Sequence, residues 1–437
     1  MLSIMRGNIV HPGADKLTYE IREITEVGRK IEALGVPLVW ENIGDPVAKG
    51  EVIAPWIKDI VAETIARDDK SFAYSPTKGV LETREFLAKI RNAGGGAQIT
   101  AEDILFFNGL GDAISKVYTY LHPTARVIGP NPAYSTHSSA EGAHSGSAHI
   151  TYNLNPNRNW LPDLEDLRNK VKYNPNIAGI LIINPDNPTG MVYPVQVLRE
   201  IVAIAREFDL FIISDETYGS IVYGDEPFVP LSQVCGVVPC LAMKGISKEI
   251  PWPGSRCGWV EFYNKEKDTA FARYAKTLVD AKMLEVCSTT LPQKVIPKIF
   301  SDPRYKEHLA ERVRAYRKRA DMAYEAFRGV SGVTAPKPGG AFYLSVVFDD
   351  GVLDNAQSLR TDNPKVKQLI EGAVEGVAPD KRFVYYLMAS TGICVVPLSG
   401  FNSHLHGFRM TLLETDEVKF KKTLEAVAGA IKKYLAS

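Results

Sequence analysis

The feature that most constrains the fold is the alternation of β-branched runs with helical segments in the middle of the chain. The run IAGILIIN from Ile177 ends in Pro-Asp-Asn-Pro, the segment from Pro194 has helical apolar spacing, and LFIISDE from Leu210 follows as a strand. The same patterns recur on both sides of this unit, in DILFFNG, GDAISKVYTYL, ARVIGP, CLAMKGIS and SRCGWVEFY. This order predicts an α/β fold with a mostly parallel sheet covered by helices on both faces.

The C-terminal part has a different pattern, in which strands GGAFYLSVVF, GICVVP and GFRMTLL are separated by helical pieces. The segment that begins ETDEVKF is predicted to be a long amphipathic helix with Thr415 as its N-cap and acidic residues in its first turn. A chain of 437 residues exceeds one ordinary domain. The pattern therefore predicts a second, smaller α+β unit.

Charge and cysteine content exclude several classes of protein. Lysine plus arginine equals aspartate plus glutamate at 51 each, so no net field attracts nucleic acid or an anionic membrane. No stretch is long and apolar enough to span a bilayer, and the five scattered cysteines favour a reducing, cytoplasmic compartment. His404 and His406 are a candidate metal-binding pair, but loop polarity explains them more simply, so we expect no metal.

Polar residues collect where the predicted strands end, which is where ligands bind in parallel sheets. Asn108-Gly109-Leu110-Gly111-Asp112 joins a strand to a helix, and its glycines let backbone N–H groups surround an anion. The segment lacks the full dinucleotide-binding fingerprint. Pro130 to Tyr134 follows another strand, where Tyr134 is either a packing residue or a flat face for a heteroaromatic ring.

Three more strand ends carry polar groups. Asn184 to Gly190 is a turn with two prolines that presents the amide of Asn187, and Asp215-Glu216-Thr217-Tyr218 ends a buried strand. A carboxylate in that position needs a cationic partner. Ser247-Lys248 is followed eight residues later by Arg256. Each segment alone has an ordinary structural explanation.

Together, these segments resemble the pyridoxal-5′-phosphate (PLP)-dependent fold-type I aminotransferases of class I/II, the aspartate/alanine aminotransferase family. The resemblance runs from NIGDP at Asn42 and YSPTKG at Tyr74 to GFRMT at Gly407. It implies a large domain, residues 59–325, around a mostly parallel sheet of the seven-stranded type. It also implies a small domain made of residues 1–58 and 326–437, and a homodimer with active sites at the subunit interface.

The resemblance also implies roles for the residues that surround the PLP ring. Lys248 would form a Schiff base with PLP and later carry the proton between the substrate α-carbon and the cofactor. Asp215 would pair with the pyridine nitrogen and so make the ring an electron sink. Tyr218 and Asn187 would hydrogen-bond the 3-oxygen of the ring, and Tyr134 would stack on its face.

Other matching residues are implied to bind the two anionic groups. The PLP phosphate would be held by Arg256, by the backbone around Gly109 and Leu110, and by Tyr74 of the neighbouring subunit. The substrate α-carboxylate would be bound by the guanidinium of Arg409 and would lie close to the backbone of Gly44. A planar guanidinium can bind a carboxylate through two parallel hydrogen bonds.

The sequence departs from the family at two positions. Gly245 stands where many relatives have a phosphate-binding serine, so either Ser247 compensates or the phosphate has one contact fewer. Leu284 aligns with the arginine through which aspartate aminotransferases bind the distal carboxylate of their substrate. The sequence therefore favours an alanine-type or broad specificity over a strict aspartate enzyme.

Other reactions use the same residues on this fold, so a C–S β-lyase and a decarboxylase stay open as alternatives. A PLP-binding transcriptional regulator would carry a helix-turn-helix before this domain. The residues that precede Asn42 contain no basic recognition helix, so that class is disfavoured. The sequence does not identify the amino donor or the oxo acid acceptor.

Overall fold

The computed structural model describes residues 9–17 and 20–437. Within them, the strands are Val39–Trp40 (β1), Ile104–Phe107 (β2), Arg126–Asn131 (β3), Thr151–Asn155 (β4), Leu161–Pro162 (β5), Ile177–Ile183 (β6), Phe211–Asp215 (β7), Cys240–Gly245 (β8), Gly258–Tyr263 (β9), Val333–Thr334 (β10), Tyr343–Phe348 (β11), Ile393–Cys394 (β12), Val396–Pro397 (β13) and Gly407–Thr411 (β14). The α-helices are Glu20–Ala33 (α1), Pro55–Arg67 (α2), Leu81–Ala93 (α3), Leu110–Thr119 (α4), Ser135–Ser145 (α5), Leu164–Tyr173 (α6), Val195–Glu207 (α7), Ile246–Glu249 (α8), Thr269–Met283 (α9), Thr290–Ser301 (α10), Tyr305–Phe327 (α11), Pro364–Ala373 (α12), Pro379–Thr391 (α13) and Glu417–Leu435 (α14).

The large sheet has the strand order β2-β9-β8-β7-β6-β3-β4-β5. Its five central strands, from β8 to β4, pair in parallel, while β9 is antiparallel to both of its neighbours. The α/β class and the mostly parallel sheet are therefore confirmed. The sheet has one strand more than the seven-stranded type, because the two-residue β5 adds an antiparallel edge.

Helices cover both faces of this sheet. Successive residues of a strand point to opposite faces, so each buried strand contributes side chains to two apolar clusters. On β7, Ile213 belongs to an apolar cluster with residues of α4 and α9, whereas Ile212 belongs to a second cluster with residues of α6 and α7. The second cluster continues into the C-terminal unit. Across the described ranges, no helix combines the length and the apolar composition needed to cross a membrane.

The C-terminal part forms a four-stranded antiparallel sheet in the order β10-β11-β14-β13, and β1 pairs in parallel with β12. The backbone N–H of Thr411 donates to the carbonyl oxygen of Glu41, so the segment after β1 lies beside β14. The expected domain boundaries, at residues 58/59 and 325/326, fall inside α2 and α11. The division into two domains at those positions stays a prediction.

The N-cap of α14 is Asp416, so the expectation of Thr415 was wrong by one residue. The Asp416 carboxylate accepts hydrogen bonds from the backbone N–H groups of Val418 at 2.9 Å and Lys419 at 3.0 Å. A carboxylate satisfies two free N–H groups at once and also interacts favourably with the positive end of the helix.

We predict that Asp416→Ala lowers the free energy of unfolding by about 1 kcal/mol, because it leaves two backbone donors without a partner. Denaturant-induced unfolding measures the change. Thr415→Ala is the matched control and should stay within about 0.5 kcal/mol of the parent, as exposed substitutions usually do. An equal loss in both variants would contradict this assignment of the cap.

Candidate functional site

A cavity of about 360 Å³ lies at the carboxyl edge of the large sheet, where the sheet meets β11, β14 and the segment after β1. The pairing of Ile183 with Asp215, and of Asp215 with Met243, brings the ends of β6, β7 and β8 to this edge. The predicted site residues that line the cavity are Gly44, Leu110, Tyr134, Asn187, Asp215, Tyr218, Ser247, Lys248, Arg256 and Arg409.

Lys248 lies on the short helix α8, directly after β8. Its Nζ donates a hydrogen bond to the backbone oxygen of Gly44 at 2.5 Å. Burial lowers the pKa of the amine to about 8; Asp45 opposes this shift, and the positive charges of Arg409 and Arg256 add to it. A lysine with such a pKa is partly neutral near physiological pH and can act as a nucleophile or base.

Asp215 is the last residue of β7 and is 6% exposed. Its Oδ2 lies 3.2 Å from Nε2 of His137, and its Oδ1 accepts from the backbone N–H and the hydroxyl of Thr217 at 3.1 and 2.6 Å. Burial alone would raise the pKa of Asp215, but these hydrogen bonds hold it below its ordinary value. The cavity therefore contains a buried carboxylate that is ionised.

Two further side chains complete the polar wall of the cavity. The hydroxyl of Tyr218 lies 2.9 Å from that of Tyr343, and burial next to Tyr343 raises the pKa of Tyr218 far above its ordinary value. The amide oxygen of Asn187 accepts from Nη1 of Arg409 at 3.2 Å. Both Tyr218 and Asn187 thus have polar atoms that face the cavity and stay uncharged.

Arg409 is a buried guanidinium, only 2% exposed, on β14. Its Nη2 donates to the backbone oxygen of Asn42 at 2.5 Å, and its Cζ lies 4.5 Å from the ring centroid of Tyr343 and 5.0 Å from that of Phe401. Its Nε has no hydrogen-bond partner, and no carboxylate within the described ranges forms an ion pair with it. A buried cation without an acidic partner is costly, so this arrangement fits an anionic ligand.

The N-terminal end of α4 and the guanidinium of Arg256 meet where β2 leads into α4. Gly109 is the N-cap of α4 with φ of 81°, and a β-carbon there would lie 2.4 Å from Nη2 of Arg256. Any other residue would be strained at this positive φ, and its β-carbon would push the Arg256 guanidinium away from the free N–H groups of the helix end. Gly245 is also sterically restricted, because a β-carbon would come within 3.1 Å of the carbonyl oxygen of Cys257. A side chain at Gly245 would therefore require the neighbouring strand to shift by a few tenths of an ångström.

The structure does not bring every predicted residue to the cavity. Tyr74 is 83% exposed and lies outside the lining, and Gly109 is not among the lining residues either. Leu284, which stands at the position of the distal-carboxylate arginine, is 85% exposed. Conversely, sequence reasoning missed the partners of the site residues: His137, Tyr343 and the carbonyl of Asn42. His137 carried one usable signal, since it lies three residues after Tyr134, in the first turn of the helix that follows the end of β3.

Comparison with solved structures defines the class of the protein. An aminotransferase of Escherichia coli superposes with a TM-score of 0.83 at 24% identity, covering 100% of this chain and 99% of that one. The chain therefore has the fold of the type I aminotransferases.

Sequence comparison then gives the family. The family model for aminotransferase class I and II matches residues 43–427, so the chain belongs to this family and is a transaminase. An uncharacterized aminotransferase of Methanocaldococcus jannaschii is 55% identical over 431 residues, 99% of this chain and 100% of that protein. A glutamate-pyruvate aminotransferase of Escherichia coli is 29% identical over 338 residues, 77% of this chain and 81% of that one.

We predict that Lys248 of the cofactor-free protein loses its proton with a midpoint at about pH 8 instead of the ordinary 10.5, because burial penalises the charged form. Below that midpoint the amine is protonated and unreactive, and above it the amine is a nucleophile. Competitive acetylation across a pH series, read by mass spectrometry with the exposed Lys276 as internal reference, measures the midpoint. Arg409→Met should raise the midpoint because it removes a neighbouring positive charge. A midpoint near 10.5 in the parent would contradict the prediction.

Proposed function

We propose that the protein binds pyridoxal 5′-phosphate through Lys248 and transfers an amino group between an L-amino acid and a 2-oxo acid by a ping-pong mechanism. One observation carries this proposal. The buried guanidinium of Arg409 has no acidic partner among the residues that the structure describes, and it lines the same cavity as the Lys248 amine, whose pKa is lowered. Such a pair suits a ligand that has a carboxylate next to a reactive amino or oxo carbon.

The chemistry of the cavity fits the cofactor, which the family uses. When bound, pyridoxal phosphate supplies a conjugated ring that withdraws electrons from the substrate α-carbon. Lys248 would hold this group covalently through its amine, and the ionised Asp215 would hold a proton on its ring nitrogen. Arg256, Ser247 and the N-terminal end of α4 at Gly109 and Leu110 would hold its phosphate.

The remaining residues orient the ring and the substrate. Tyr218 and Asn187 would donate to the ring oxygen, and the half-buried Tyr134 would cover one face of the ring. Arg409 would bind the substrate carboxylate next to the backbone of Gly44. Once its amine is free, Lys248 takes the proton from the substrate α-carbon, for which a lowered pKa is suited.

For the substrate, we favour an alanine-type or broad specificity over strict aspartate. The position aligned with the distal-carboxylate arginine of aspartate enzymes is Leu284, which is apolar and exposed. Nearby, Lys282 is buried and bound to Asp112 and Glu285, so its charge is already neutralised. The relative in Escherichia coli named glutamate-pyruvate aminotransferase supports the same choice.

We predict that Lys248→Ala abolishes amino transfer, because the variant lacks both the covalent attachment and the base. The measurement uses the protein reconstituted with pyridoxal phosphate, a panel of L-amino acids, and several 2-oxo acids as acceptors. Lys276→Ala, which removes an exposed lysine, is the matched control and should keep the parent rate.

Each outcome of this assay separates one reaction from another. Parallel double-reciprocal lines and formation of a new amino acid support transamination. Release of a thiol or of carbon dioxide without a new amino acid would instead identify a C–S lyase or a decarboxylase. Undiminished amino transfer by Lys248→Ala would refute the assignment of Lys248.

We also propose a homodimer in which Tyr74 reaches the active site of the neighbouring subunit. Phe72 and Tyr74 are 75% and 83% exposed, and Met283, Leu284 and Val286 form a second group of exposed apolar side chains. Large apolar side chains exposed in groups are typical of surfaces that pack against another chain. Tyr74 lies outside the cavity of its own chain, as a residue used by a partner would.

We predict that a mixed dimer of Tyr74→Ala and Lys248→Ala subunits is active, although each variant alone is impaired. The mixed dimer has one site with both an intact Lys248 and the intact Tyr74 of the partner subunit. The matched control combines a subunit carrying both substitutions with a parent subunit, which leaves neither site complete. Equal activities of the two mixed dimers, purified through different affinity tags, would mean that Tyr74 does not act across the interface.

A further inference from the structure

Behind Asp215, a buried line of hydrogen bonds leads away from the cavity to Tyr118. The hydroxyl of Tyr118 lies 3.3 Å from Nδ1 of His137, and Nε2 of the same imidazole lies 3.2 Å from Oδ2 of Asp215. Tyr118 and His137 are both fully buried. Neither the cavity lining nor the roles proposed above include Tyr118.

Three elements bring these residues together. Tyr118 lies in the last turn of α4, His137 in the first turn of α5, and Asp215 at the end of β7. The surroundings of Tyr118 on α4 are an apolar cluster that includes Ile114 and Val117. A phenol hydroxyl in such a place is costly unless it forms a hydrogen bond. Nδ1 of His137 supplies that hydrogen bond, which the apolar neighbours on α4 cannot form.

The charge of Asp215 decides the direction of its hydrogen bond with His137. An ionised carboxylate only accepts, so Nε2 of His137 carries a proton and donates to Oδ2. A hydroxyl can both donate and accept, so Tyr118 pairs with Nδ1 whether or not that nitrogen carries a proton. The hydroxyl fixes the rotation of the ring, while the edge contacts of the ring with Tyr118 and Tyr134 fix its tilt.

We propose that Tyr118 is a positioning residue that acts on Asp215 through His137. Its hydroxyl holds the imidazole so that Nε2–H stays on Oδ2, and this contact keeps the carboxylate ionised and directed at the cavity. The inference rests on the proposed function, in which Asp215 holds the proton on the cofactor's ring nitrogen. It extends the site by one residue, on the helix whose other end forms the phosphate cradle.

The test compares the affinity of the cofactor-free protein for pyridoxal phosphate and for its deaza analogue, in which carbon replaces the ring nitrogen. Tyr118→Phe should weaken binding of pyridoxal phosphate roughly tenfold, as loss of one buried hydrogen bond does, and leave binding of the analogue unchanged. Tyr274→Phe is the matched control, because the Tyr274 hydroxyl donates to the carbonyl oxygen of Val117 on the same helix. In Tyr274→Phe, the ratio of the affinity for pyridoxal phosphate to that for the deaza analogue should equal the ratio in the parent protein.

A second measurement reads the hydrogen bond without any cofactor. With ¹⁵N-labelled histidine, the Nδ1 resonance of His137 should shift in Tyr118→Phe and stay in place in Tyr274→Phe. In a His137→Gln background, Tyr118→Phe should cause no further loss of affinity.

The outcomes distinguish this inference from the proposed function. Equal weakening of both ligands by Tyr118→Phe, an unchanged Nδ1 resonance, or a full additional loss in the His137→Gln background would each overturn the role of Tyr118. Failure of the parent protein to bind pyridoxal phosphate would instead overturn the proposed function, and the Nδ1 resonance would still decide whether Tyr118 holds His137.

Discussion

The parallel pairing of β6, β7 and β8 is the constraint on which the cavity depends. Because these strands run in one direction and in register, the segments that follow them emerge at one edge, and Asn187, Asp215 and Lys248 lie on those segments. The strands themselves are buried on both faces, and β6 and β7 are rich in isoleucine, which leaves little freedom for the register to slip. The chemistry thus depends on apolar packing that lies entirely behind it.

Local pattern was enough to predict this framework. The runs that form β6, β7 and β8 are mostly apolar, and each is bounded by a turn or a helix signal, so their existence and order follow from the sequence. The edge strand β5 contains only two residues and has no pattern of its own. Thr415 and Asp416 are both good N-cap residues, and only the backbone conformation of the segment chooses between them.

The site was predictable where a side chain follows directly from a strand end, and unpredictable where its partner comes from elsewhere in the chain. Asp215 ends a strand, but His137, whose hydrogen bond lowers the pKa of this carboxylate, is 78 positions away. Tyr343 reaches Tyr218 across 125 positions. Such contacts depend on how whole elements pack. The resemblance supplied roles for residues and left out the hydrogen bonds that orient them.

The segment after β1 contacts both of the basic side chains that would engage the ligand in the proposed function. Lys248 donates to the carbonyl of Gly44, and Arg409 donates to the carbonyl of Asn42. Glu41, just before them, is buried and held by Lys49 and Thr411. A carboxylate that arrives at Arg409 therefore competes with one carbonyl of this segment, and an electrophile at Lys248 competes with another. A carboxylate carries a full negative charge and can accept two parallel hydrogen bonds from a guanidinium, whereas the Asn42 carbonyl is neutral and accepts one from Arg409. In the proposed function, an anionic ligand would therefore displace this carbonyl, and the same short segment would stabilise both side chains before the ligand binds.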